Sequence, residues 1–329
     1  MALSKDTCAV FTHKDCLLHD TGKGHPEQIA RLEVVLDALK QPSFAALEWQ
    51  EAPKATAAQL YLAHDQDYVD DILAAAPASG YKYLDADTVI SPDSINAALR
   101  GAGAICAAVD HVMEGKSTTA FCATRPPGHH AEVDKAMGFC LFGNVAIGAF
   151  HAVKQHGLER VAIIDFDVHH GNGTANLVDG HREFFFVSTH QAPPFYPGTG
   201  KETETGKVGN ILNVPLESGQ GSTEFRKAFI DKILPALEAY EPQLVIISAG
   251  FDAHKDDPLG EINLTEKDYV WVTEELRRVA HRHCGGKLVS ALEGGYNLNA
   301  LASSVAAHVD VLQQDMTPRR AICPKPPKV

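Results

Sequence analysis

The segment that decides the fold is Val161-Ala-Ile-Ile-Asp165-Phe-Asp167-Val-His169-His170-Gly171-Asn172-Gly173. It begins as an apolar run rich in β-branched residues, which predicts a strand, and it ends in carboxylates and imidazoles. The apolar character is continuous rather than alternating, as in a parallel sheet whose strands are buried on both faces. Ligands of such sheets bind just outside the carboxyl ends of the strands. We therefore expect the chemistry of this chain to lie immediately after its strands.

Similar short apolar runs alternate with longer helical patterns along the chain. This alternation predicts a single three-layer α/β domain with a central, mostly parallel sheet. No Gly/Ser linker divides the chain, so the domain is predicted to span residues 1–316, followed by a Pro/Lys-rich tail at 317–329. The predicted strands are Thr118–Ala123, Val161–Asp165, Phe184–Thr189, Ile211–Val214, Leu244–Ser248 and Lys287–Leu292.

Helix signals lie between these runs. Ser91 before Pro92 predicts an N-cap followed by proline at the first helical position, with Gly115 closing the helix. Thr265, with Asp268 three residues on, resembles a capping box ahead of another helix. A further amphipathic face is formed by Ile29, Leu32, Val35, Leu36 and Leu39.

The composition excludes several classes of protein. The chain has 329 residues, 45% hydrophobic and 22% charged, as in ordinary globular domains rather than disordered chains. Its net charge of −13 disfavours binding to nucleic acid or to an anionic membrane surface. An apolar run of about 18 residues and a signal-peptide pattern are both lacking. We therefore expect a cytoplasmic protein that crosses no membrane, with a homo-oligomer allowed.

The cysteine pattern predicts neither disulfide bonds nor a cysteine zinc site. They are unclustered and odd in number, and no two of them form a C-x-x-C pair. This pattern favours reduced thiols over disulfides or a cysteine zinc site. A metal site in this chain would therefore use carboxylates and histidines. The seven cysteines are Cys8, Cys16, Cys106, Cys122, Cys140, Cys284 and Cys323.

Asp165, Asp167 and His169 alternate at the predicted strand end, so their side chains start on one face. Carboxylate oxygen and imidazole nitrogen at this spacing can bind one divalent ion. Asp252 follows the strand Leu244–Ser248 and would add a third ligand, which leaves a position open for catalysis. The alternative is that the strand-end carboxylates cap a helix and that Asp252 belongs to an ordinary turn.

Two further strand ends carry groups suited to acid–base chemistry. After Thr118–Ala123, the adjacent histidines His129 and His130 stand in a Pro/Gly-rich loop and could act as acid and base. After Lys287–Leu292, Tyr296 follows a double-glycine turn, where its hydroxyl could donate to an oxyanion. The alternatives are a pair of exposed histidines and a packed tyrosine in a surface turn.

Taken together and in this order, these motifs resemble the histone deacetylase and acetylpolyamine amidohydrolase superfamily. The resemblance covers most of the chain, from His25-Pro-Glu27 and Arg31 to Tyr296. Its other parts are Arg125–His130, Gly138–Cys140, Asp165–Gly173, Tyr196–Gly200 and Ser248–Asp252. The family fold is a single α/β domain with a central parallel sheet, related to arginase. The resemblance thus implies the architecture that the strand pattern predicts.

The resemblance implies a metal-dependent amidohydrolase. By the family pattern, a zinc ion would be held by Asp167, His169 and Asp252, with ferrous iron as the alternative metal. A structural potassium ion would lie beside it and would be bound mainly through backbone carbonyls. The residues implied for potassium are Asp165, Asp167, His169 and Ser188.

The resemblance also assigns catalytic roles. His130 would be the general base and then the general acid, with His129 as its neighbour, oriented by Asp165. Tyr296 would polarise the acyl carbonyl together with the metal. Asn172 stands where an aspartate can partner His130, which resembles the class II deacetylases. An amide supplies no charge, so Asn172 would leave His130 less basic and readier to begin as a neutral base.

A substrate channel is implied as well. Phe139 and Tyr196, with Gly138, would flank a narrow channel for an acyl-lysine stem, although phenylalanine is commoner in the family at position 196. Arg31 matches an arginine that lines an internal cavity behind the metal. Leu259 would lie at the channel rim. A polyamine-selective relative can have glutamate there, and an apolar residue cannot pair with the second ammonium of a polyamine.

Three functions remain open at this point. The leading interpretation is a zinc-dependent deacylase acting on acetyl-lysine in a peptide or protein, or on a related small acetylated amine. The second is an acetylpolyamine amidohydrolase, which the acidic residues Asp256, Asp257 and Glu261 near Leu259 would suit. The third is a non-catalytic acyl-lysine-binding module, which the intact metal ligands, histidines and tyrosine disfavour.

Overall fold

Strands form the framework of the part of the chain that the computed structural model describes, residues 7–315. Eight of the strands form one sheet in the order β2-β1-β5-β10-β9-β6-β7-β8, and every neighbouring pair is parallel. The other two, β3 and β4, pair antiparallel apart from that sheet. The strands are β1 Cys8–Thr12, β2 Glu48–Glu51, β3 Lys82–Tyr83, β4 Val89–Ile90, β5 Thr119–Cys122, β6 Val161–Asp165, β7 Phe184–Gln191, β8 Ile211–Leu216, β9 Leu244–Ala249 and β10 Leu288–Leu292.

Helices connect the strands. They are α1 Ala30–Leu39, α2 Ala57–Leu60, α3 Gln66–Leu73, α4 Ser94–Met113, α5 Asn144–His156, α6 Asn172–Val178, α7 Ser222–Ala228, α8 Leu234–Tyr240, α9 Glu266–Cys284 and α10 Leu298–Gln313. A π-helical turn, Phe229–Ile233, joins α7 to α8, and 3-10 turns occur at Lys14–Leu17 and Pro42–Phe44.

Apolar side chains on the two faces of the sheet form two separate cores. Along β6, Ala162 and Ile164 belong to one core while Val161 and Ile163 belong to the other, as the two-residue repeat of a strand requires. Helices α1, α9 and α10 pack on the first face, and α4 and α5 pack on the second. The protein is therefore a three-layer α/β domain with a parallel sheet, and the predicted fold class is confirmed.

All six predicted strands are present, with ends that differ by at most two residues. The prediction misses β1 and β2 at one edge of the sheet. Strand β2 alternates half-buried and exposed side chains and carries no apolar run. The apolar run of β1 is too short to be distinguished from a segment of a buried helix by periodicity.

The predicted start of α4 is wrong. The helix begins at Ser94 with Asp93 at the N-cap, rather than at Pro92 with Ser91 as the cap. The backbone N–H of Ser91 donates to Ser94 Oγ at 2.8 Å, so Ser91 and Pro92 form a turn before the helix. The helix ends at Met113, two residues before the predicted stop at Gly115.

The other helix signals are confirmed. Helix α9 begins directly after Thr265, whose backbone N–H donates to the carboxylate of Asp268 at 3.0 Å. Helix α1 buries the apolar face predicted for it, which includes Leu32, Val35 and Leu39.

Four neighbouring strands bring the predicted site residues together. In the sheet, β5, β10, β9 and β6 are adjacent in that order. Because these strands are parallel, the loops that follow them meet at one edge of the sheet. Those four loops contain the paired histidines, the tyrosine, Asp252 and the Asp167–His169 segment.

Among residues 7–315, no helix is both long and apolar enough to span a membrane. The cysteines of this part of the chain are buried and unpaired: Cys8, Cys16, Cys106, Cys122, Cys140 and Cys284. Cys323 and the predicted tail at 317–329 lie outside the described residues.

Candidate active site

The three predicted metal ligands converge at the ends of β6 and β9. His169 Nδ1 lies 3.1 Å from Asp167 Oδ1 and 3.3 Å from Asp252 Oδ2. Both carboxylates are completely buried, and the ligand atoms of all three residues lie within 4.8 Å of one another. Two oxygens and one nitrogen with a position left for substrate form a donor set that suits a catalytic zinc or ferrous ion.

The surroundings of Asp252 show that this cluster fits a cation. Its Oδ2 atom is buried and accepts no hydrogen bond from the described residues, and the atom beside it, His169 Nδ1 at 3.3 Å, is itself a proposed ligand. Burial, followed by the charge of Asp167, raises the pKa of Asp252 to about 7, which marks an excess of negative charge. Residue 294 must be glycine, because a Cβ there would collide with Oδ2 of both carboxylates. The excess negative charge favours a bound cation, and the position of Gly294 does not accommodate a side chain.

His129 and His130 lie beside this cluster with their rings in contact, 3.9 Å apart between centroids. Each has its own partner. His129 Nδ1 lies 3.0 Å from Asp165 Oδ2, and His130 Nδ1 lies 2.7 Å from Asn172 Oδ1. Both histidines are buried rather than exposed. The alternative of a solvent-exposed pair is therefore excluded.

Local charges give the two histidines opposite protonation. Burial lowers the pKa of His129, but the charges of Asp167 and Asp165 override this effect and raise it to about 10. Burial and then the positive charges of His129 and His169 hold the pKa of His130 well below its usual range. These shifts favour a cationic His129 and a neutral His130 at neutral pH. A neutral imidazole can accept a proton, which suits a general base.

Tyr296 is fixed from two sides. Its backbone N–H donates to Asp257 at 2.6 Å, and the guanidinium of Arg31 lies 4.8 Å from the centre of its ring. Arg31 also donates to the carbonyl of Gly295 at 2.5 Å. Burial raises the pKa of the Tyr296 phenol well above its usual value, so the hydroxyl remains a proton donor.

Arg31 is completely buried and bonded to the chain on several sides. Besides Gly295, it donates to the carbonyl of Glu293 at 2.5 Å and to Glu27 Oε1 at 2.9 Å. In this structure, Arg31 holds the turn that carries Tyr296. Its predicted place on an internal cavity stays a prediction.

A cavity of about 260 Å³ leads to the cluster, and His130, His169 and Tyr296 contribute to its lining. The four predicted channel residues all line it, together with two residues that the sequence analysis misses, Asp87 and Phe195. The predicted four are Gly138, Phe139, Tyr196 and Leu259. The ring of Phe195 stacks on His169 with centroids 5.2 Å apart.

Gly138 shows why the channel wall requires glycine. Its φ is +55°, in the left-handed region, and a Cβ there would press into the ring of His130. The next residue, Phe139, also has positive φ, at 68°, which directs the chain around the channel. The Gly-Phe pair therefore allows an aromatic wall to approach the candidate base closely.

The residues predicted for potassium also lie together. Asp165 and Ser188 are direct neighbours across β6 and β7, and both are completely buried. Asp165 Oδ1 accepts from the backbone N–H of Asp167 at 3.0 Å, and Ser188 Oγ lies 2.9 Å from His190 Nδ1. The potassium site itself stays a prediction.

Glu293 and Asp257 bond to the loops of the candidate site, although the sequence analysis gives Glu293 no role and names Asp257 only as an acidic neighbour of Leu259. Glu293 is completely buried and accepts from the backbone N–H groups of Gly128 at 2.6 Å and His129 at 3.2 Å. Asp257 accepts from Tyr296 and from the backbone N–H of Leu259 at 2.9 Å. In the sequence, Glu293 could have been identified as a site residue because its carboxylate directly follows a buried apolar strand. Nothing in the sequence separates Asp257 from its acidic neighbours.

Comparison with known proteins decides the family. Residues 25–312 match the sequence profile described as Histone deacetylase domain. The chain belongs to the histone deacetylase family. It is 37% identical to the type-2 histone deacetylase 2 of Dictyostelium discoideum, in an alignment covering 94% of this chain and 21% of that protein. It thus spans about a fifth of that much longer relative.

Two further relatives are of more similar length. The histone deacetylase-like amidohydrolase of Pseudomonas aeruginosa is 39% identical, over 83% of this chain and 72% of that protein. The crystal structure of the HDA15 HD domain superposes with a TM-score of 0.89 at 35% identity, covering 94% of this chain and 88% of that one. The predicted resemblance to class II-like deacetylases is confirmed. Family and relatives together support a deacetylase or amidohydrolase enzyme.

Metal content tests the ligand assignment. Asp252→Ala should lose the ion held with Asp167 and His169, because two remaining ligands bind a divalent ion weakly. Asp256→Ala is the matched control, since it removes an exposed carboxylate from the same loop. Elemental analysis after passage over a chelating resin measures the difference. A full equivalent of metal in Asp252→Ala would show that Asp252 is not a metal ligand.

Proposed function

We propose that the protein is a zinc-dependent deacylase that hydrolyses the amide of acetyl-lysine or of a related acylated amine. The observation that carries the proposal is a three-ligand cluster at the base of an aromatic-walled channel, with a neutral histidine beside it. Asp167, His169 and Asp252 would hold the zinc, and ferrous iron is the alternative. Potassium would serve as a structural ion near Asp165 and Ser188.

The bound ion would supply Lewis acidity, polarising the substrate carbonyl and acidifying water. His130 takes the proton from the attacking water and later passes it to the leaving amine. Its low pKa in this setting favours the neutral form that the first transfer needs. His129 remains protonated between Asp165 and Asp167, where its charge balances theirs and keeps His130 neutral.

Tyr296 completes the proposed mechanism. As the carbonyl carbon becomes tetrahedral, negative charge collects on its oxygen, and a phenol hydroxyl can stabilise that charge by donating a hydrogen bond. The raised pKa of Tyr296 keeps the proton in place for this bond. Arg31 and Asp257 hold the turn that carries this hydroxyl, and Tyr296 lines the channel.

The channel favours a long, apolar substrate stem that ends in an acyl group. Phe139 and Tyr196 can cover the methylene groups of a lysine side chain. At the rim, Leu259 offers no acceptor for a second ammonium. Asp257 accepts three backbone N–H groups, and Glu261 accepts from Gln191 at 2.8 Å, so neither carboxylate is free for a distal cation. These contacts favour acyl-lysine over acetylated polyamines, and the exposed Asp256 and the channel-lining Asp87 are the carboxylates left to meet a distal ammonium.

A turnover panel tests the proposed activity. The protein should cleave an acetyl-lysine peptide faster than N-acetylputrescine or acetylspermidine, with longer acyl-lysine peptides as a third comparison. A chelator should abolish turnover, and added zinc should restore it. The proposed mechanism needs the Lewis acidity of the bound ion, and no protein side chain replaces it. Activity that survives complete metal removal contradicts the mechanism. A preference for acetylated polyamines would instead favour the amidohydrolase alternative.

The third prediction for this site concerns Tyr296. Tyr296→Phe should fold and keep its metal, but kcat should fall about 10²–10³-fold because one oxyanion donor is removed. Tyr83 provides the control, since Tyr83→Phe removes an exposed hydroxyl that does not line the channel. Steady-state kinetics with acetyl-lysine peptide measures both variants. A Tyr296→Phe enzyme of nearly normal kcat would exclude the carbonyl-polarising role.

Substrate choice is tested at Leu259. Leu259→Glu should shift kcat/KM from acetyl-lysine peptide towards acetylated polyamines by about fivefold, the scale of a partly exposed charge pair. Leu259→Gln is the neutral control of the same size and should not produce the shift. The measured quantity is the ratio of kcat/KM values for the two substrate classes. An equal shift in both variants would show that size or polarity, rather than charge, sets the preference.

A further inference from the structure

Asn172 faces the candidate base with an amide, and an amide has two different ends. Its oxygen can only accept a hydrogen bond, and its nitrogen can only donate. In this structure, Oδ1 lies 2.7 Å from His130 Nδ1, while Nδ2 donates to Glu132 Oε1 at 2.7 Å. Nδ2 also contacts the sulfur of Met137 at 3.4 Å, a much weaker acceptor. Glu132 is thus the strong acceptor that determines which end of the amide faces His130.

The direction of the amide decides which nitrogen of His130 carries the proton. With an acceptor oxygen against Nδ1, the proton of neutral His130 lies on Nδ1, and Nε2 keeps its lone pair. If the amide turned over, an N–H group would face Nδ1, and the proton would move to Nε2. A general base at Nε2 requires the first arrangement.

We propose that Glu132 is a positioning residue that sets the tautomer of His130 through Asn172. The proposal rests on the proposed function, in which His130 is the base. An aspartate at position 172 would need no such partner, because both of its oxygens accept hydrogen bonds. An asparagine does need one, and Glu132 supplies it from the segment that follows His129 and His130 directly.

Glu132 acts from outside the substrate channel. Together with Asn172, it lines a separate cavity of about 250 Å³, to which His170 and Thr199 also contribute. Glu132 is not among the residues that line the channel leading to the ligand cluster. Its effect should therefore fall on kcat, while KM for an acetyl-lysine peptide should change little.

Three single variants test the proposal. Glu132→Ala should lower kcat about tenfold, the scale of one lost hydrogen bond to a charged group. Glu132→Gln keeps an oxygen that can accept from Asn172, so kcat should stay within about threefold of the wild type. Asp134→Asn is the matched control, because it removes an exposed carboxylate two residues away. Metal content is measured in each variant, so that loss of the ion is separated from loss of the tautomer.

A double variant provides the rescue. In Glu132→Ala/Asn172→Asp, the new carboxylate accepts from His130 Nδ1 whichever way it rotates, so kcat at the pH optimum of each enzyme should return to within about threefold of the wild type. The comparison uses each pH optimum because the added charge raises the pKa of His130. Asn172→Asp alone places a second carboxylate against Glu132 and should remain impaired. A role limited to general stability would not produce this reversal, since the double variant has lost both original residues.

Three outcomes would overturn the proposal. They are an unchanged kcat in Glu132→Ala, a Glu132→Gln enzyme as slow as Glu132→Ala, and a double variant no faster than Glu132→Ala. Nitrogen-15 NMR of the His130 ring, assigned by signal loss in His130→Gln, reads the tautomer without any turnover. If the wild type cleaved no acylated amine, the proposed function would fail. The NMR comparison of wild type with Glu132→Ala would still decide the role of Glu132.

Discussion

The site depends on the compensation of negative charge buried at the carboxyl edge of the sheet. Asp165, Asp167, Asp252 and Glu293 are all completely buried. A buried anion is strongly unfavourable unless it is paired and hydrogen-bonded. Backbone N–H groups supply part of what is needed: that of Gly294 donates to Asp167, and that of Val168 donates to Asp252, each at 2.9 Å. His129 supplies positive charge, whereas Asp252 Oδ2 accepts no hydrogen bond and has the proposed ligand atom His169 Nδ1 beside it at 3.3 Å, so the buried negative charge at this edge favours the proposed metal ion.

The same charges give the two adjacent histidines, His129 and His130, different pKa values. His129 lies against Asp165 and within 3.7 Å of Asp167, so its proton is held firmly. Burial, followed by the charge of His129, holds the pKa of His130 well below its usual range, and its partner is an amide rather than a carboxylate. Identical side chains next to each other in sequence thus acquire different roles from their partners alone. The proposed metal cluster and the proposed base are therefore not independent, because the carboxylates that would hold the ion also raise the pKa of His129 beside that base.

The sequence was sufficient for the parts of the molecule in which chemistry follows a buried strand. Strand β6 carries the signal for a parallel sheet and for two of the metal ligands in one segment, and β9 adds Asp252 in the same way. Strand β2 was missed because its side chains are half exposed, and Ser91 was misjudged because the turn before α4 uses Ser94 instead. Phe195 and Asp87 were missed for another reason. They reach the channel from loops, and no periodicity indicates where a loop side chain will point.

Glu27 explains why the family pattern begins so far from the strands that carry the chemistry. Its buried carboxylate binds Arg31 and Arg125 together, and the charge of Arg125 holds the pKa of Glu27 well below its usual range despite burial. Arg125 begins the loop that carries the paired histidines, whereas Arg31 bonds the turn before Tyr296. One carboxylate therefore joins the loop of the proposed base to the loop of the proposed oxyanion donor. Catalysis is sensitive to displacements of about 1 Å. A link of this kind outside the channel would therefore help to keep His130 and Tyr296 at the separation that the proposed mechanism needs.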